Sequence, residues 1–203
     1  MNPILILMSS VVLTLGATAA TAPAAAPVKT LANLASAWQG ESNAKLRYEL
    51  FAAKAESEGE KHAARLFRAA AKAEEIHAAK HAKVIKALGG TTPELVREEA
   101  AVGTTRENLE ASIKGETYEQ QKMYPAFIAT ATEEGATKAV KTFDRALQVE
   151  GDHAMLYATA LRLIGSGADS GFAVCPDCGL TIEGEAYEDC EICEEEAAKF
   201  INF

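Results

Sequence analysis

The sequence predicts an all-α four-helix bundle with one long crossover, followed by a small metal-knuckle module at the C-terminus. Three observations carry this. Residues 30–165 are rich in alanine, the best helix former, and aromatic residues are only 6% of the chain. Glycine-marked breaks divide that stretch into hairpin, long connection, hairpin. All four cysteines of the 203-residue chain fall between Cys175 and Cys193.

The elements follow in order. Residues 1–28 carry no charged side chain, and Ile4 to Leu15 is a mostly apolar run ahead of small residues such as Ala17-Thr18-Ala19. That pattern predicts a signal peptide and spacer over 1–27, and hence export to the periplasm or cell envelope, although only the α-amino group supplies the usual positive charge. A run this short falls below the roughly 20 apolar residues of a membrane span, but extended to Ala20 it borders on one, so a retained anchor is the alternative to cleavage. The bundle is expected over 28–165. Its first helix runs to Gly59 and its second from Glu60 to Gly89-Gly90, a C-terminal stop signal. A connection of fifteen residues leads to a Thr104-Thr105 cap. The third helix then runs to about Glu134, with Pro125 expected to kink or break it. The fourth ends at Gly165. Short turns make the helices of each hairpin antiparallel neighbours. Residues 166–171 read as a flexible linker into a cysteine module over 172–203.

The formal net charge of −9 argues against nucleic acid as a partner. Residues 172–203 hold nine acids against one lysine, so most of the excess sits on the cysteine module. This predicts either a solvated tail or a docking face for a basic carrier protein whose binding weakens with salt.

The chemistry is written on the helices. The first carries Glu41, the second Glu74-x-x-His77, the third Glu116-x-x-Glu119 and the fourth Glu150-x-x-His153. Residues three apart share a helix face. At 1.5 Å per residue, Glu41 and Glu74 lie about 27 and 22 Å from the first turn, and Glu119 and Glu150 about 24 and 22 Å from the second. All four groups can therefore meet at one level. Carboxylates and imidazoles in this pattern suit two iron or manganese ions, the ferritin-like di-metal arrangement, with Glu119 as an extra carboxylate. His62 and His81 fit no such pattern and read as surface residues. Cys175, Cys178, Cys190 and Cys193 form two C-x-x-C knuckles that make a four-sulfur site for one iron, and zinc fits the same sulfurs.

These motifs together resemble the rubrerythrin family. G-E-S-N-A-K-L-R-Y, E-E-I-H, G-E-T-Y-E, M-Y-P-A-F and E-G-D-H appear in its order, and C-P-D-C-G with C-E-I-C is similar to its rubredoxin-like domain. The resemblance implies a ferritin-like di-iron domain fused to a rubredoxin-like iron site. It implies reduction of hydrogen peroxide to water in protection against oxidative stress, with electrons relayed from the four-cysteine iron. It assigns Glu41, Glu74, His77, Glu116, Glu119, Glu150 and His153 as di-iron ligands, with Glu116 and Glu150 as candidates to bridge. It makes His77 and Glu119 alternative ligands in the reduced and oxidised forms, and places Tyr48 and Tyr124 beside the site. It further implies a reductase or electron-carrier partner and a homodimer in which one subunit's cysteine iron approaches the other's di-iron site. A ferroxidase or iron-binding role, a zinc-stapled scaffold, or an oxygen-reducing di-iron oxidase remains open on the same residues. Leu180 stands where the family often has an aromatic, and the second knuckle lacks a following glycine.

Overall fold

A computed structural model describes residues 27–203. Of the segment read as a signal peptide and spacer, residues 1–26 lie outside the described residues. Helices α1 (Val28–Ser57) and α2 (Lys61–Ala87) form the first hairpin. Residues 88–104 contain no helix or strand and return the chain along α1, where Asn43 pins them: its side-chain amide donates to Val96 O at 3.0 Å and its Oδ1 accepts from Glu98 N at 3.1 Å. Helix α3 (Thr105–Tyr118) opens with a capping box. Thr104 Oγ1 accepts from Glu107 N, and Glu107 Oε2 accepts from Thr104 N, satisfying two amides that the helix leaves free.

Between α3 and α4 (Tyr124–Glu133), residues Glu119–Met123 form a π-turn, and Tyr124 N donates to Glu119 O, five residues back. Pro125 has no N–H to continue the ordinary ladder, so the break expected there takes the form of a widened turn. Helix α5 (Thr137–Leu163) completes the bundle.

The interior is layered along the bundle axis. Tyr48, Phe51, Leu66, Phe67, Leu109 and Tyr157 fill one end. Leu34, Ile85, Tyr124, Ala139 and Phe143 fill the other. The buried acids and histidines lie between these two apolar plugs, which exclude water from both sides and hold the polar layer in place.

The C-terminal module is a three-stranded antiparallel sheet in the order β2-β1-β3, built from Phe172–Val174 (β1), Thr181–Glu183 (β2) and Ile201–Asn202 (β3). Phe172 pairs with Glu183 and Ala173 with Asn202. The module packs on its own bundle. Phe172 lies against His62, with ring centroids 5.1 Å apart, and Arg65 meets Asp169 at 2.9 Å. His62 is therefore buried and not on the surface as expected, because the module's first strand covers it.

The two knuckles share one backbone turn. Gly179 N donates to Cys175 O at 3.0 Å and Glu194 N donates to Cys190 O at 2.8 Å. Gly179 has φ +86°, and Glu194, in the matching position, has φ +64°. A left-handed non-glycine residue costs about 1–2 kcal/mol, part of which glycine gives back through its greater freedom when unfolded. Glu194→Gly is therefore expected to stabilise the module by about 0.5–1 kcal/mol. A thermal melt of the iron-loaded chain checks this, and an unchanged or lower midpoint would contradict it.

Candidate metal centres

Glu41 on α1, Glu74 and His77 on α2, Glu116 on α3, and Glu150 and His153 on α5 are all buried, each at most 3% exposed. They form two overlapping groups. Glu41, Glu74, His77 and Glu150 bring one ligand atom each within 4.8 Å of one another, as do Glu74, Glu116, Glu150 and His153.

Glu74 and Glu150 belong to both groups, and each splits its two oxygens between the two imidazoles. His77 Nδ1 lies 3.0 Å from Glu150 Oε1 and 3.1 Å from Glu74 Oε2. His153 Nδ1 lies 3.0 Å from Glu150 Oε2 and 3.4 Å from Glu74 Oε1. The geometry thus makes Glu74 and Glu150 the carboxylates able to span two ions. Glu116, expected as a bridge, sits with His153 alone, because α3 reaches the layer on that side only.

Glu119 falls in neither group. The π-turn leaves it at the edge of the layer, half-buried, but close enough that its charge acts on Glu41. Tyr48 OH donates to Glu116 Oε1 at 2.5 Å, and Tyr124 OH donates to Glu41 Oε1, so both tyrosines stand beside the site as expected.

The outer bonds of the imidazoles fix which nitrogen faces inward. Cys178 O can only accept, so His77 donates to it from Nε2, at 3.0 Å. Thr181 Oγ1 donates to Gly179 O and so accepts from His153 Nε2, at 3.1 Å. In the neutral rings both Nδ1 lone pairs therefore point at carboxylate oxygens, which requires cations between them. Glu41 Oε2, Glu74 Oε1 and Glu150 Oε1 are buried without a hydrogen bond; Glu150 Oε1 is near His77 Nδ1 but poorly aligned with it.

Without metal, protons must fill that role. Burial, then the charges of Glu119 and Glu74, push the Glu41 carboxyl well up. Burial and the neighbouring Glu74 and Glu150 do the same to Glu116, and burial and Glu150 to Glu119. Burial works against charge on His153, but Glu150 and Glu74 outweigh it and raise its pKa to about 10. His77 is raised for the same reason. Burial also opposes charge on Glu74, but its bonds to His153 and His77 prevail and lower its pKa. Unpaired oxygens, inward lone pairs and a mixed carboxylate–imidazole set fit two divalent ions of the iron or manganese kind.

The four sulfurs also lie within 4.8 Å of one another, with Cys175 and Cys193 Sγ 3.5 Å apart and Cys178 and Cys190 Sγ 3.4 Å apart. The thiols are free. A metal–sulfur distance near 2.3 Å gives a tetrahedral edge of about 3.8 Å, so the cluster is closely arranged for one metal. Leu180 and Val149 of α5 pack against it. The leucine at the usual aromatic position thereby seals the sulfurs against the bundle.

His81, expected on the surface, is fully buried. Its Nε2 lies 3.1 Å from Tyr124 OH and its Nδ1 3.2 Å from Thr142 Oγ1. Burial, then the charge of His77, lowers its pKa to about 3. Thr142, Thr181 and the Cys178 carbonyl were not singled out from the sequence. Only the spacing of His81, one turn after His77, hinted that it faces the same interior.

A buried carboxylate–histidine centre in a four-helix bundle, with a four-cysteine site docked on it, defines a ferritin-like di-iron protein carrying a rubredoxin-type iron site. The rubrerythrin family model matches residues 32–161, and the chain belongs to the rubrerythrin family. It is 41% identical over 165 residues to nigerythrin of Nitratidesulfovibrio vulgaris, covering 81% of each chain. It is 35% identical to rubrerythrin-2 of Clostridium acetobutylicum, covering 84% of this chain and 94% of that one. A solved structure of nigerythrin in a partially reduced state superposes with a TM-score of 0.79 at 35% identity, covering 93% of this chain and 91% of that one. Bacterioferritin from Desulfovibrio desulfuricans shares the bundle fold, with a TM-score of 0.64 at 21% identity over 69% of this chain and 82% of that one.

Proposed function

We propose that this oxidoreductase is a peroxidase that reduces hydrogen peroxide to water in defence against oxidative stress, drawing its electrons through the four-cysteine site. The observation that carries this reading is the direct contact between the two centres. The Cys178 carbonyl accepts from His77, and Thr181, three residues beyond Cys178, accepts from His153. Each imidazole assigned to the di-iron site is thus one hydrogen bond from the cysteine module. A storage bundle has no need of that wiring. The contact runs within one chain.

Glu41, Glu74, His77, Glu116, Glu150 and His153 would hold the two irons, with Glu119 at the edge as a further carboxylate; Cys175, Cys178, Cys190 and Cys193 would hold the third. Bound there, iron supplies one-electron redox steps and Lewis acidity. The protein supplies the rest. Glu74 and Glu150 fix the spacing of the two positions. Cys178 O and Thr181 hold the two imidazoles in the tautomer that faces inward. Tyr48 and Tyr124 steady the outer carboxylates, and the apolar plugs keep bulk water out. The exposed acids of the module offer a face to a basic carrier protein, whose binding should weaken as salt rises.

Fully reduced, iron-loaded protein mixed anaerobically with one equivalent of hydrogen peroxide is expected to regain the colour of the ferric four-cysteine site faster than the same protein mixed with oxygen. Colour that returns faster with oxygen would replace the peroxidase with an oxidase.

A further inference from the structure

A hydrogen-bonded path leads from the surface to the di-metal layer through residues not yet given a role. It starts in a cavity of about 380 Å³ at the seam of α2, α5 and the cysteine module, lined among others by Lys80, Val84, Thr142 and Arg145. Thr142 Oγ1 lies 3.2 Å from His81 Nδ1, His81 Nε2 lies 3.1 Å from Tyr124 OH, and Tyr124 OH donates to Glu41 Oε1. Thr142 is 9% exposed, while His81 and Tyr124 are fully buried between Phe143 and Phe127. A buried imidazole with a hydroxyl on each nitrogen is placed to take a proton on one side and release one on the other.

We infer that Thr142, His81 and Tyr124 form the proton entry of this site, carrying protons from the cavity at the bundle–module seam to Glu41. The inference rests on the peroxide-reducing reading. Reducing one hydrogen peroxide to two waters consumes two electrons and two protons. The electrons arrive from a reduced carrier through the cysteine site, and the protons need a path through a layer closed by apolar plugs. In each transfer, water in the cavity gives a proton to Thr142 Oγ1 as its hydroxyl proton passes to His81 Nδ1. His81 Nε2 then gives its proton to the Tyr124 oxygen, and the Tyr124 proton moves to Glu41 Oε1. One proton enters and one arrives, leaving His81 protonated on Nδ1. The path resets when the ring gives that proton to cavity water and takes one from water at Nε2, and the Thr142 and Tyr124 hydroxyls turn back.

The opposite side of the site offers no such path. Tyr48 donates to Glu116, but its ring lies among Phe51, Phe67 and Tyr157, and Tyr157 OH is buried without a partner. Among the described residues the remaining rivals are the half-buried Glu119 and His77, which itself lines the cavity.

Thr142→Val keeps the shape of the side chain and removes the hydroxyl; Thr142→Ser restores it. In single-turnover oxidation by peroxide, Thr142→Val is expected to slow the reaction at least about tenfold and to change its solvent deuterium isotope effect, with Thr142→Ser near the original on both. His81→Gln should behave like Thr142→Val. A second readout needs no turnover. In zinc-loaded protein, followed by nitrogen-15 NMR, exchange of the His81 ring proton with water should slow at least about tenfold in Thr142→Val, with backbone amide exchange of α2 unchanged. If Thr142→Val matches the original chain in oxidation rate, isotope effect and ring-proton exchange, the path is not used and the protons enter past Glu119 or at His77, where it lines the cavity. If His81→Gln does not fold, the two threonine variants decide alone. Failure of the peroxidase reading would show instead in the unsubstituted chain, as no oxidation by peroxide, while the exchange measurement would stand.

Discussion

Glu150→Ala should prevent both positions of the di-metal site from holding iron and lower peroxide turnover by more than a hundredfold. Glu150 is the residue whose two oxygens reach both imidazoles together with those of Glu74, at 3.0 Å to each ring. Loss of an outer partner of a metal ligand typically costs 10–100-fold, and loss of a shared ligand costs more. Iron analysis should show the cysteine iron retained and the other two gone. The substitution should also weaken the metal-free protein, because Glu150 lies between His77 and His153 at 3.0 Å from each and its loss leaves two buried imidazoles short of a partner; iron-loaded protein should lose more. The metal-free chain should also weaken as pH rises. Glu41, Glu116, Glu119, His77 and His153 all have raised pKa values, which favour the fold below their ordinary titration range and lose that contribution as pH climbs through the folded values, reaching about 10 for His153. Melting temperatures of metal-free protein that rise between pH 6 and about 10 would refute this assignment.

Gly179→Ala should uncouple the two centres without emptying either. A Cβ there would sit 2.8 Å from His77 Nε2, 3.2 Å from His77 Cδ2 and 3.4 Å from Ala73 Cα. It would also occupy φ +86°, at a cost of about 1–2 kcal/mol. Gly184 supplies the control: it has the same φ, and nothing lies within 4 Å of its Cβ position. Both variants should lower the module's stability by a similar amount, but Gly179→Ala alone should push it off α2 and slow the return of ferric-thiolate colour after peroxide. Equal colour kinetics in the two variants would show that the contact at His77 does not carry the electrons.

The helices and the acid–histidine layer were legible because they follow local rules. Alanine content, terminal glycines and the Glu-x-x-His spacing all act within one or two turns of chain. What was not legible depends on partners far away in sequence. His77 and Cys178 are 101 positions apart, and His153 and Thr181 are 28 apart, so no periodicity announces those bonds. His81 fits no ligand pattern in the sequence and so reads as a surface residue, yet it turns inward to Tyr124. Of the expected bridging pair, Glu150 spans both groups but Glu116 gives way to Glu74, because helix spacing sets the depth of a carboxylate and not which imidazole it meets. Pro125 announced a break but not its form as a π-turn, which displaces Glu119 to the rim.

The docking of the cysteine module on its own bundle also has a consequence for how the protein behaves when scarce. A tethered donor meets its acceptor at an effective concentration set by the linker, on the order of millimolar for a short flexible one, however few copies a compartment holds. On the proposed reading, electron delivery between the centres is then a property of each single molecule and does not fall with dilution. Only the encounter with peroxide and with the external carrier depends on abundance, so the internal step stays ready when the protein is rare and peroxide arrives suddenly.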